Sequence, residues 1–316
     1  MRNTITVMNA KGGVGKSTLV LALAETLAND HGKKILVIDS DAQASISHML
    51  LPQERLEAIQ TGARTFVDYL IRAVLEQSQA SWRDFVAGGA SDVDDARSID
   101  LLPSDTHLTL FEREVSKGDH ERQLRIVIGA LLREARPLYD LVLIDSAPGL
   151  SVLTESWLRE ADFYLSPTRP DYICTRGLEF LRRFRERDPH MGFAEPLGVI
   201  INMKDPHSAE DAHYEEWLRQ NAEHKCFRQP ILRVSPLQSA TRFAPRPRSF
   251  WAKAFYQSYR ERGGSHQAAL RALAFKWIRI IHRCWVERQP YDEARYLMAL
   301  QKRHAPLLAF AAKAST

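Results

Sequence analysis

The chain has 316 residues, of which 45% are hydrophobic and 26% charged, and its formal net charge is +4. This composition is sufficient for a sizeable core and excludes a disordered chain. No apolar run approaches the ~20 residues that a bilayer-spanning helix needs, and we expect no signal peptide before the first strand. The three isolated cysteines indicate a reducing cytoplasm rather than a disulfide framework.

Strands and helices alternate along the sequence up to about residue 240. Strands are predicted at 3–8, 34–39, 99–102, 141–145, 162–166 and 197–202, and helices at 17–30 and 119–134. Several of the strands are continuously apolar, as expected where both faces of a parallel sheet are buried. The predicted fold class is therefore α/β, with a doubly wound, mostly parallel sheet.

The loop between the first strand and the first helix reads Lys-Gly-Gly-Val-Gly-Lys-Ser-Thr over residues 11–18. A glycine-rich turn at this place directs backbone N–H groups toward a phosphate at the positive end of the helix dipole. Lys16 is placed to reach the β- and γ-phosphates, and the Ser17 hydroxyl to bind Mg²⁺. Ala10 replaces the first glycine of an ordinary P-loop, and a second lysine, Lys11, precedes the glycine pair.

Carboxylates follow two of the apolar strands. Asp39 and Asp41 come at the end of the second strand, and Asp145 ends the strand at 141–145. The carboxyl ends of parallel strands border the crevice in which open α/β sheets bind ligands. We therefore expect these three side chains beside the phosphate-binding loop.

Together these motifs resemble the ParA/MinD family of dimerising ATPases, whose P-loop is a deviant Walker A motif. The resemblance is collinear from residue 2 to about residue 245 and includes 99–106, 167–172 and 198–202; Ala42 and Ala147 replace prolines typical of the family. It implies ATP and Mg²⁺ as cofactors, slow ATP hydrolysis, a homodimer in the ATP state and a ParB-type partner that stimulates hydrolysis. It further implies a cytoplasmic, nucleoid-associated protein that binds non-specific DNA and segregates plasmid or chromosome DNA, or positions another cargo.

The resemblance also implies roles for particular residues. The expected catalytic residues are Lys11, which reaches the partner's nucleotide, Lys16, and Asp41, which positions the attacking water. The expected nucleotide-binding residues are Lys11, Gly12, Gly13, Val14, Gly15, Lys16, Ser17, Thr18 and Asn202, the last where relatives contact adenine. The expected metal-binding residues are Ser17, Asp39 and Asp145.

Charge and composition change toward the C-terminus. Residues 1–240 carry a net charge of −7 and residues 241–316 a net charge of +11. We predict an ATPase domain at 1–245, with an insertion at about 52–98, and a basic helical extension at 246–316 with an amphipathic helix at 269–288. A basic segment of this kind suits an anionic partner. The candidate DNA-binding residues are Arg182, Arg183, Arg185, Arg271, Lys276, Arg279 and Arg283.

Two alternatives use the same nucleotide site. The helix at 269–288 would suit a MinD-like ATPase that lies on anionic membranes, because it combines basic residues with Phe275, Trp277 and Trp285. The extension would otherwise serve as a docking or oligomerisation module controlled by nucleotide, with its apolar stripe packed on the core. Binding to DNA, to vesicles or to neither separates the three hypotheses.

Overall fold

The computed structural model describes residues 2–91, 96–233 and 250–261, together with residues 269, 273 and 296–298. The chain divides into two compact units, Met1–Arg233 and Val234–Thr316, which we treat separately. The domain boundary at residue 245 stays a prediction.

One parallel sheet forms the centre of the first unit. Its strands are β1 (Thr4–Val7), β2 (Ile35–Ser40), β3 (Ile99–Leu102), β4 (Leu141–Ser146), β5 (Phe163–Thr168) and β6 (Glu195–Ile201). Their order is β3-β2-β4-β1-β5-β6, and every neighbouring pair is parallel. Each predicted strand is confirmed within two residues at either end. The carboxyl ends of β1, β2 and β4 lie side by side, so the residues that follow them share one edge.

Helices cover both faces of this sheet. They are α1 (Lys16–His31), α2 (Ser45–Leu50), α3 (Gln53–Thr61), α4 (Phe66–Leu70), α5 (His107–Lys117), α6 (Glu121–Ala135), α7 (Val152–Glu160), α8 (Tyr172–Arg187) and α9 (Ala209–Gln220). Helix α1 contacts β2, β3, β4 and β5, while α4 to α7 pack together around a core that includes Leu36, Ile38 and Ile144. The predicted doubly wound α/β fold is confirmed.

The insertion at 52–98 contributes to this core. It contains α3, α4, a π-helical turn at Ile71–Leu75 and a 3₁₀ turn at Trp82–Phe85. Residues 66–75 are thus helical throughout. Thr65 and Asp68 form a capping box that satisfies free N–H groups at the start of α4. The ring of Phe66 lies 5.8 Å from that of Trp157 on α7, so the insertion is anchored by aromatic packing.

Short segments of the chain pair with both outer strands. Ala87 exchanges two backbone hydrogen bonds with Leu101 of β3, at 2.8 and 3.0 Å. At the other side, Phe227 N–H donates to the Val199 carbonyl of β6 at 2.9 Å, and Ile231 N–H to the Ile201 carbonyl at 2.8 Å. These bonds satisfy backbone groups that would otherwise form open sheet edges.

The second unit contains helix α10 (Phe250–Glu261). Ala252 and Leu273 are buried there, and Phe255, Tyr256 and Tyr296 pack against them. Except for residues 269 and 273, the amphipathic helix predicted at 269–288 lies outside the described residues. Within the described residues, no helix is both long enough and apolar enough to cross a membrane.

Candidate functional site

The loop from β1 to α1 has the backbone conformation that a phosphate cradle requires. Gly13 and Gly15 have φ angles of 73° and 90°, in the left-handed region that glycine adopts without strain. Gly15 is the N-cap of α1, and a Cβ atom on it would lie 2.4 Å from the Asn202 side-chain nitrogen. The N–H groups of this loop and of the first turn of α1 form an anion-binding helix terminus.

Lys16 is the buried cation of the site. It is only 7% exposed, and its Nζ donates to the Lys11 carbonyl at 3.4 Å. Burial lowers the pKa of Lys16, while the nearby carboxylates of Asp145 and Asp41 act in the opposite direction. A buried ammonium at a helix N-terminus is a charge partner for a phosphate group.

Two buried carboxylates lie side by side on the neighbouring strands β2 and β4, next to this lysine. Asp39 of β2 and Asp145 of β4 are register partners, and neither is exposed. Burial raises the pKa of Asp39 well above its ordinary value, and the charge of Asp145 adds to that rise. Burial also raises the pKa of Asp145, although the Ser17 hydroxyl and the Lys16 charge lower it. Two adjacent buried carboxylates need further positive charge to stay ionised.

The two carboxylates differ in how their oxygens are used. Asp39 accepts hydrogen bonds from Asp41 N–H at 3.2 Å and from the N–H and hydroxyl of Ser47 at 3.0 and 2.6 Å. Both Asp145 oxygens are buried and, among the described residues, no group forms a hydrogen bond of full geometry with either. Asp145 is therefore the carboxylate with oxygens still available.

These residues fit a magnesium ion that is shared with a nucleotide. Magnesium prefers oxygen ligands and is usually held by one or two protein side chains together with phosphate and water. The available oxygens of Asp145 and the neighbouring Ser17 hydroxyl supply that donor type. Within the described ranges there is no group of three or more His, Cys, Asp or Glu side chains that would hold a metal alone.

Asp41 lies half-buried at the mouth of the site, where its Oδ1 accepts the Gln43 N–H at 2.9 Å. Glu112 of α5 belongs to the same cluster, because its pKa is raised by burial and also by the charge of Asp41. The Ser151 hydroxyl donates to Glu112 and lowers that pKa. In sequence Glu112 follows the family-like segment 99–106, but its place beside Asp41 is evident only from the fold, which brings α5 to the carboxyl edge of β2.

The loop that carries Lys11 is held by a residue that sequence reasoning missed. Asn9 Oδ1 accepts the Lys11 N–H at 2.9 Å, and Asn9 Nδ2 donates to the Pro167 carbonyl at 2.8 Å. Gly177 of α8 allows close contact here, since a Cβ atom on it would lie 2.8 Å from Asn9 Oδ1 and 3.5 Å from Lys11 Cγ. Lys11 itself is exposed. The only sequence signal for Asn9 is its position immediately before the P-loop.

Asn202 follows β6 and is buried against the loop. Its Nδ2 donates to the Val14 carbonyl at 2.8 Å, and its Oδ1 accepts the Met203 N–H at 2.9 Å. Both ends of the amide are therefore engaged with backbone. A contact between Asn202 and adenine stays a prediction.

The fold thus collects the predicted nucleotide and metal residues of the first unit at one sheet edge. The candidate DNA-binding residues are more dispersed. Arg182 forms ion pairs with Glu186 and Glu223 at 2.9 and 3.2 Å, and Arg185 donates to the Tyr164 hydroxyl at 3.0 Å. Arg183 is exposed. The remaining candidates, Arg271, Lys276, Arg279 and Arg283, lie outside the described residues.

A parallel sheet with this loop, lysine and pair of carboxylates defines a P-loop nucleoside-triphosphate-binding protein. A family model described as an AAA domain matches residues 2–188, which is more than half of the chain. A ParA family protein from Chlamydia pneumoniae is 32% identical over 186 residues, which cover 57% of this chain and 64% of that protein. The chromosome partitioning protein ParA of Caulobacter vibrioides is 30% identical over 215 residues, covering 64% and 69%. The chain belongs to this AAA-domain family and, within it, to the ParA-like P-loop ATPases.

Solved structures agree on the fold. Cyanothece apo McdA superposes with a TM-score of 0.61 at 20% identity, covering 76% of this chain and 89% of that one. A plasmid partition protein from Borrelia burgdorferi, bound to AMPPNP, gives a TM-score of 0.58 at 24% identity, covering 78% and 92%. Cobyrinic acid a,c-diamide synthase from Mycobacterium smegmatis, with an ATP analogue and magnesium, gives 0.56 at 18%, covering 92% and 98%. At these identities the likeness concerns the fold alone.

Proposed function

We propose that this protein is a partition or positioning ATPase that binds ATP with Mg²⁺, dimerises in the ATP state and then binds non-specific DNA. The observation that carries the proposal is the position of Lys16, buried in a glycine-rich helix terminus beside Asp145 and Asp41. The ParA family membership and the nucleotide-bound structural neighbours support ATP as the nucleotide.

The residues of the loop divide the work of phosphate binding. The backbone N–H groups of residues 12–18 would bind the phosphate oxygens, and Lys16 would neutralise their charge. Ser17 and Asp145 would hold Mg²⁺, with Asp39 close behind and fixed by Ser47. The ion, when bound, neutralises charge on the phosphates. These roles agree with the different hydrogen bonding of the two carboxylates, since Asp39 accepts from Ser47 whereas the Asp145 oxygens have no hydrogen-bond partner among the described residues.

Hydrolysis further needs a water molecule in line with the γ-phosphate. Asp41 is our candidate for orienting it, because this carboxylate is only half-buried and its backbone follows β2 directly. Lys11 would reach the nucleotide of a second subunit. Its exposure and the bracing of its backbone by Asn9 suit a side chain that acts across a dimer interface.

The charge of the C-terminal part of the chain favours DNA as a binding partner. Residues 241–316 carry a net charge of +11, which suits salt-sensitive attraction to DNA phosphates. On α8, Arg183 is the exposed candidate, whereas Arg182 and Arg185 are engaged with other side chains. A ParB-type protein would stimulate hydrolysis and release the DNA. The cargo would be a plasmid, a chromosome or a protein assembly positioned over the nucleoid.

The test is binding to non-specific duplex DNA, measured with ATP, with ADP and without nucleotide over a salt series. Lys11→Ala is the informative variant, and Lys33→Ala, an exposed lysine away from the loop, is its control. We expect DNA binding that requires ATP, weakens steeply with salt and is lost in Lys11→Ala only. Equal binding in all nucleotide states would contradict the proposal, and binding to anionic vesicles instead of DNA would favour a membrane-surface ATPase.

A further inference from the structure

Glu112 on α5 is a half-buried carboxylate that the proposed nucleotide and metal roles leave unused. Its Oε1 accepts a hydrogen bond from the Ser151 hydroxyl. Ser151 is the N-cap of α7, and its Oγ accepts the Thr154 N–H at 3.2 Å and lies 3.1 Å from the Thr154 hydroxyl. Glu112 therefore joins α5 to the first turn of α7, which follows β4 through the short loop 147–151.

Three segments meet at this part of the sheet edge: the residues after β2, the loop from β4 to α7, and helix α5. The first two are joined by backbone, because the Ala147 N–H donates to the Ser40 carbonyl at 3.3 Å. Each segment also contributes an apolar residue to one hydrophobic cluster, namely Ala42, Phe111 and Leu150. Asp41 and Glu112 are consequently close enough to interact, and the charge of Asp41 adds to the effect of burial in raising the pKa of Glu112.

The negative charge of Glu112 is not needed to hold Ser151. A hydroxyl donor is satisfied equally well by the oxygen of a neutral side-chain amide. Glu112 forms no ion pair with a residue in the described part of the chain, so no cation offsets its repulsion by Asp41. A carboxylate that is kept at this electrostatic cost beside a candidate catalytic group indicates that its charge serves the site.

Asp41 is the group on which this charge would act. Its Oδ1 accepts the Gln43 N–H at 2.9 Å, whereas its Oδ2 accepts no hydrogen bond from a described residue. Lys16 in the phosphate cradle attracts the Asp41 carboxylate, and Glu112 on α5 repels it. The two effects act in concert, because both favour an Asp41 carboxylate turned toward the phosphate cradle over one turned toward α5.

From this arrangement we propose that Glu112 is a positioning residue for ATP hydrolysis and that it acts through Asp41. Held by Ser151, its negative charge keeps the Asp41 carboxylate directed at the attacking water instead of at α5. The inference rests on the proposed function, because Asp41 is the candidate for orienting that water. Glu112 acts on Asp41 rather than on the nucleotide, so its role concerns the rate of turnover and not the affinity for ATP.

The first test compares two substitutions of the same kind on α5. Glu112→Gln removes the charge but keeps an oxygen that can accept from Ser151, and Glu114→Gln makes the same exchange at an exposed position. We expect kcat for ATP to fall by about tenfold in Glu112→Gln, with KM and the melting temperature unchanged. Glu114→Gln should leave all three quantities unchanged. A merely structural role of Glu112 would instead lower the melting temperature and spare kcat.

A double variant shows whether Glu112 acts through Asp41. In the Asp41→Ala background, Glu112→Gln should change turnover by less than about twofold, because the group that it positions is gone. Single-turnover hydrolysis of radiolabelled ATP measures the low rates of these variants. A further tenfold loss in this background would overturn the inference, and so would unmodified turnover in the single variant Glu112→Gln.

The orientation of Asp41 in crystals of the unmodified protein and of Glu112→Gln gives a readout independent of activity. The amide nitrogen introduced by this substitution is a donor, so we expect the Asp41 carboxylate to turn toward α5 in the variant. An unchanged orientation would contradict the inference. Unmodified turnover in Asp41→Ala would contradict the proposed role of Asp41 and with it this inference. Lost turnover in Asp41→Ala together with unmodified turnover in Glu112→Gln would overturn the role of Glu112 alone.

Discussion

The side-chain amide of Asn202 donates a hydrogen bond of 2.8 Å to the carbonyl of Val14, although the two residues are 188 positions apart. This bond joins the end of β6 to the phosphate-binding loop two strands away. Gly15 makes the contact feasible, since any side chain there would collide with the same amide. The conformation of the loop therefore depends on Asn202, a residue outside the P-loop motif that follows β6.

Asn202→Ala tests this brace. The change leaves the Val14 carbonyl without its side-chain donor, and we expect a loss of about 1–3 kcal/mol in the free energy of unfolding. ATP binding should weaken by about tenfold, because the loop loses its support. Urea unfolding and nucleotide titration measure the two effects. Asn29→Ala, on the surface of α1, should leave both unchanged. Equal effects in the two variants would show that the hydrogen bond from Asn202 to Val14 does not support the loop.

Lys16→Ala removes the ammonium from the phosphate cradle. We expect ATP affinity to fall by at least about 100-fold, since a charge-assisted contact to phosphate is lost in a buried setting. Titration with a fluorescent ATP analogue provides the measurement. Lys117→Ala, at the exposed end of α5, is the matched control. Retained affinity in Lys16→Ala would contradict the P-loop assignment.

Asp41→Ala separates binding from hydrolysis. The carboxylate lies at the mouth of the site rather than in the phosphate cradle, so the variant should bind ATP and dimerise. Its turnover should fall by a factor of about 100 or more if the carboxylate orients the attacking water. Phosphate release and size-exclusion chromatography with ATP give the two readings. Asp30→Ala serves as control, and turnover at the unmodified rate would exclude Asp41 from the mechanism.

Gly177→Ala tests the contact between α8 and the loop that carries Lys11. The new methyl group would lie 2.8 Å from Asn9 Oδ1, which is too close for an unshifted loop. We expect ATP turnover to fall by about tenfold and stability by about 1–3 kcal/mol. Gly129→Ala in α6 is the control, because its nearest neighbour at 2.9 Å is the flexible end of Glu160. Equal turnover in both variants would show that α8 does not position Lys11.

His224 predicts a pH dependence of stability. Burial lowers the pKa of His224 below the ordinary value of 6.5, and the positive charge of Arg182 adds to this shift. The hydrogen bond to the Leu218 carbonyl and the negative charges of Glu179 and Glu223 act in the opposite direction. His224 therefore binds a proton more readily in the unfolded chain than in the folded protein. For this reason the free energy of unfolding should decrease as the pH falls below 6.5. Once the pH is below the pKa of His224 in the folded protein, His224 is protonated in both states and no longer changes the free energy of unfolding.

Urea unfolding over about pH 5 to 7.5 measures this effect. His224→Gln cannot take up the proton, so the slope of stability against pH should become flatter within this window than in the unmodified protein. His190→Gln replaces an exposed histidine and should leave the slope unchanged. Parallel curves for the unmodified protein and His224→Gln would contradict the prediction.

The sheet and the P-loop were predictable from sequence because their signals are local. Continuous apolar runs identified the strands, and the motif at 11–18 identified the phosphate loop. The helices α2, α3 and α7 were not predicted, since six to nine residues give too little periodicity, and the longer α5 and α9 were not predicted either. Trp157 on α7 nevertheless donates to the Ser40 hydroxyl at 2.7 Å, directly behind the carboxylates.

The supporting residues of the site could not be predicted for a different reason. Asn9 depends on Pro167 and Gly177, and Asn202 depends on Val14, so each role arises from contacts between distant parts of the chain. The ion pair of Arg182 with Glu223 and the hydrogen bond from Arg185 to the Tyr164 hydroxyl have the same origin.

The pairing of Ala87 with β3 and of residues 226–231 with β6 has a consequence for the behaviour of the protein at high concentration. Exposed sheet edges recruit strands from other molecules, which leads to aggregates. Here the outermost backbone donors and acceptors of Leu101, Val199 and Ile201 are already used within the chain. At these positions the outer strands β3 and β6 cannot pair with a strand of another molecule, which should limit edge-to-edge aggregation at high protein concentration.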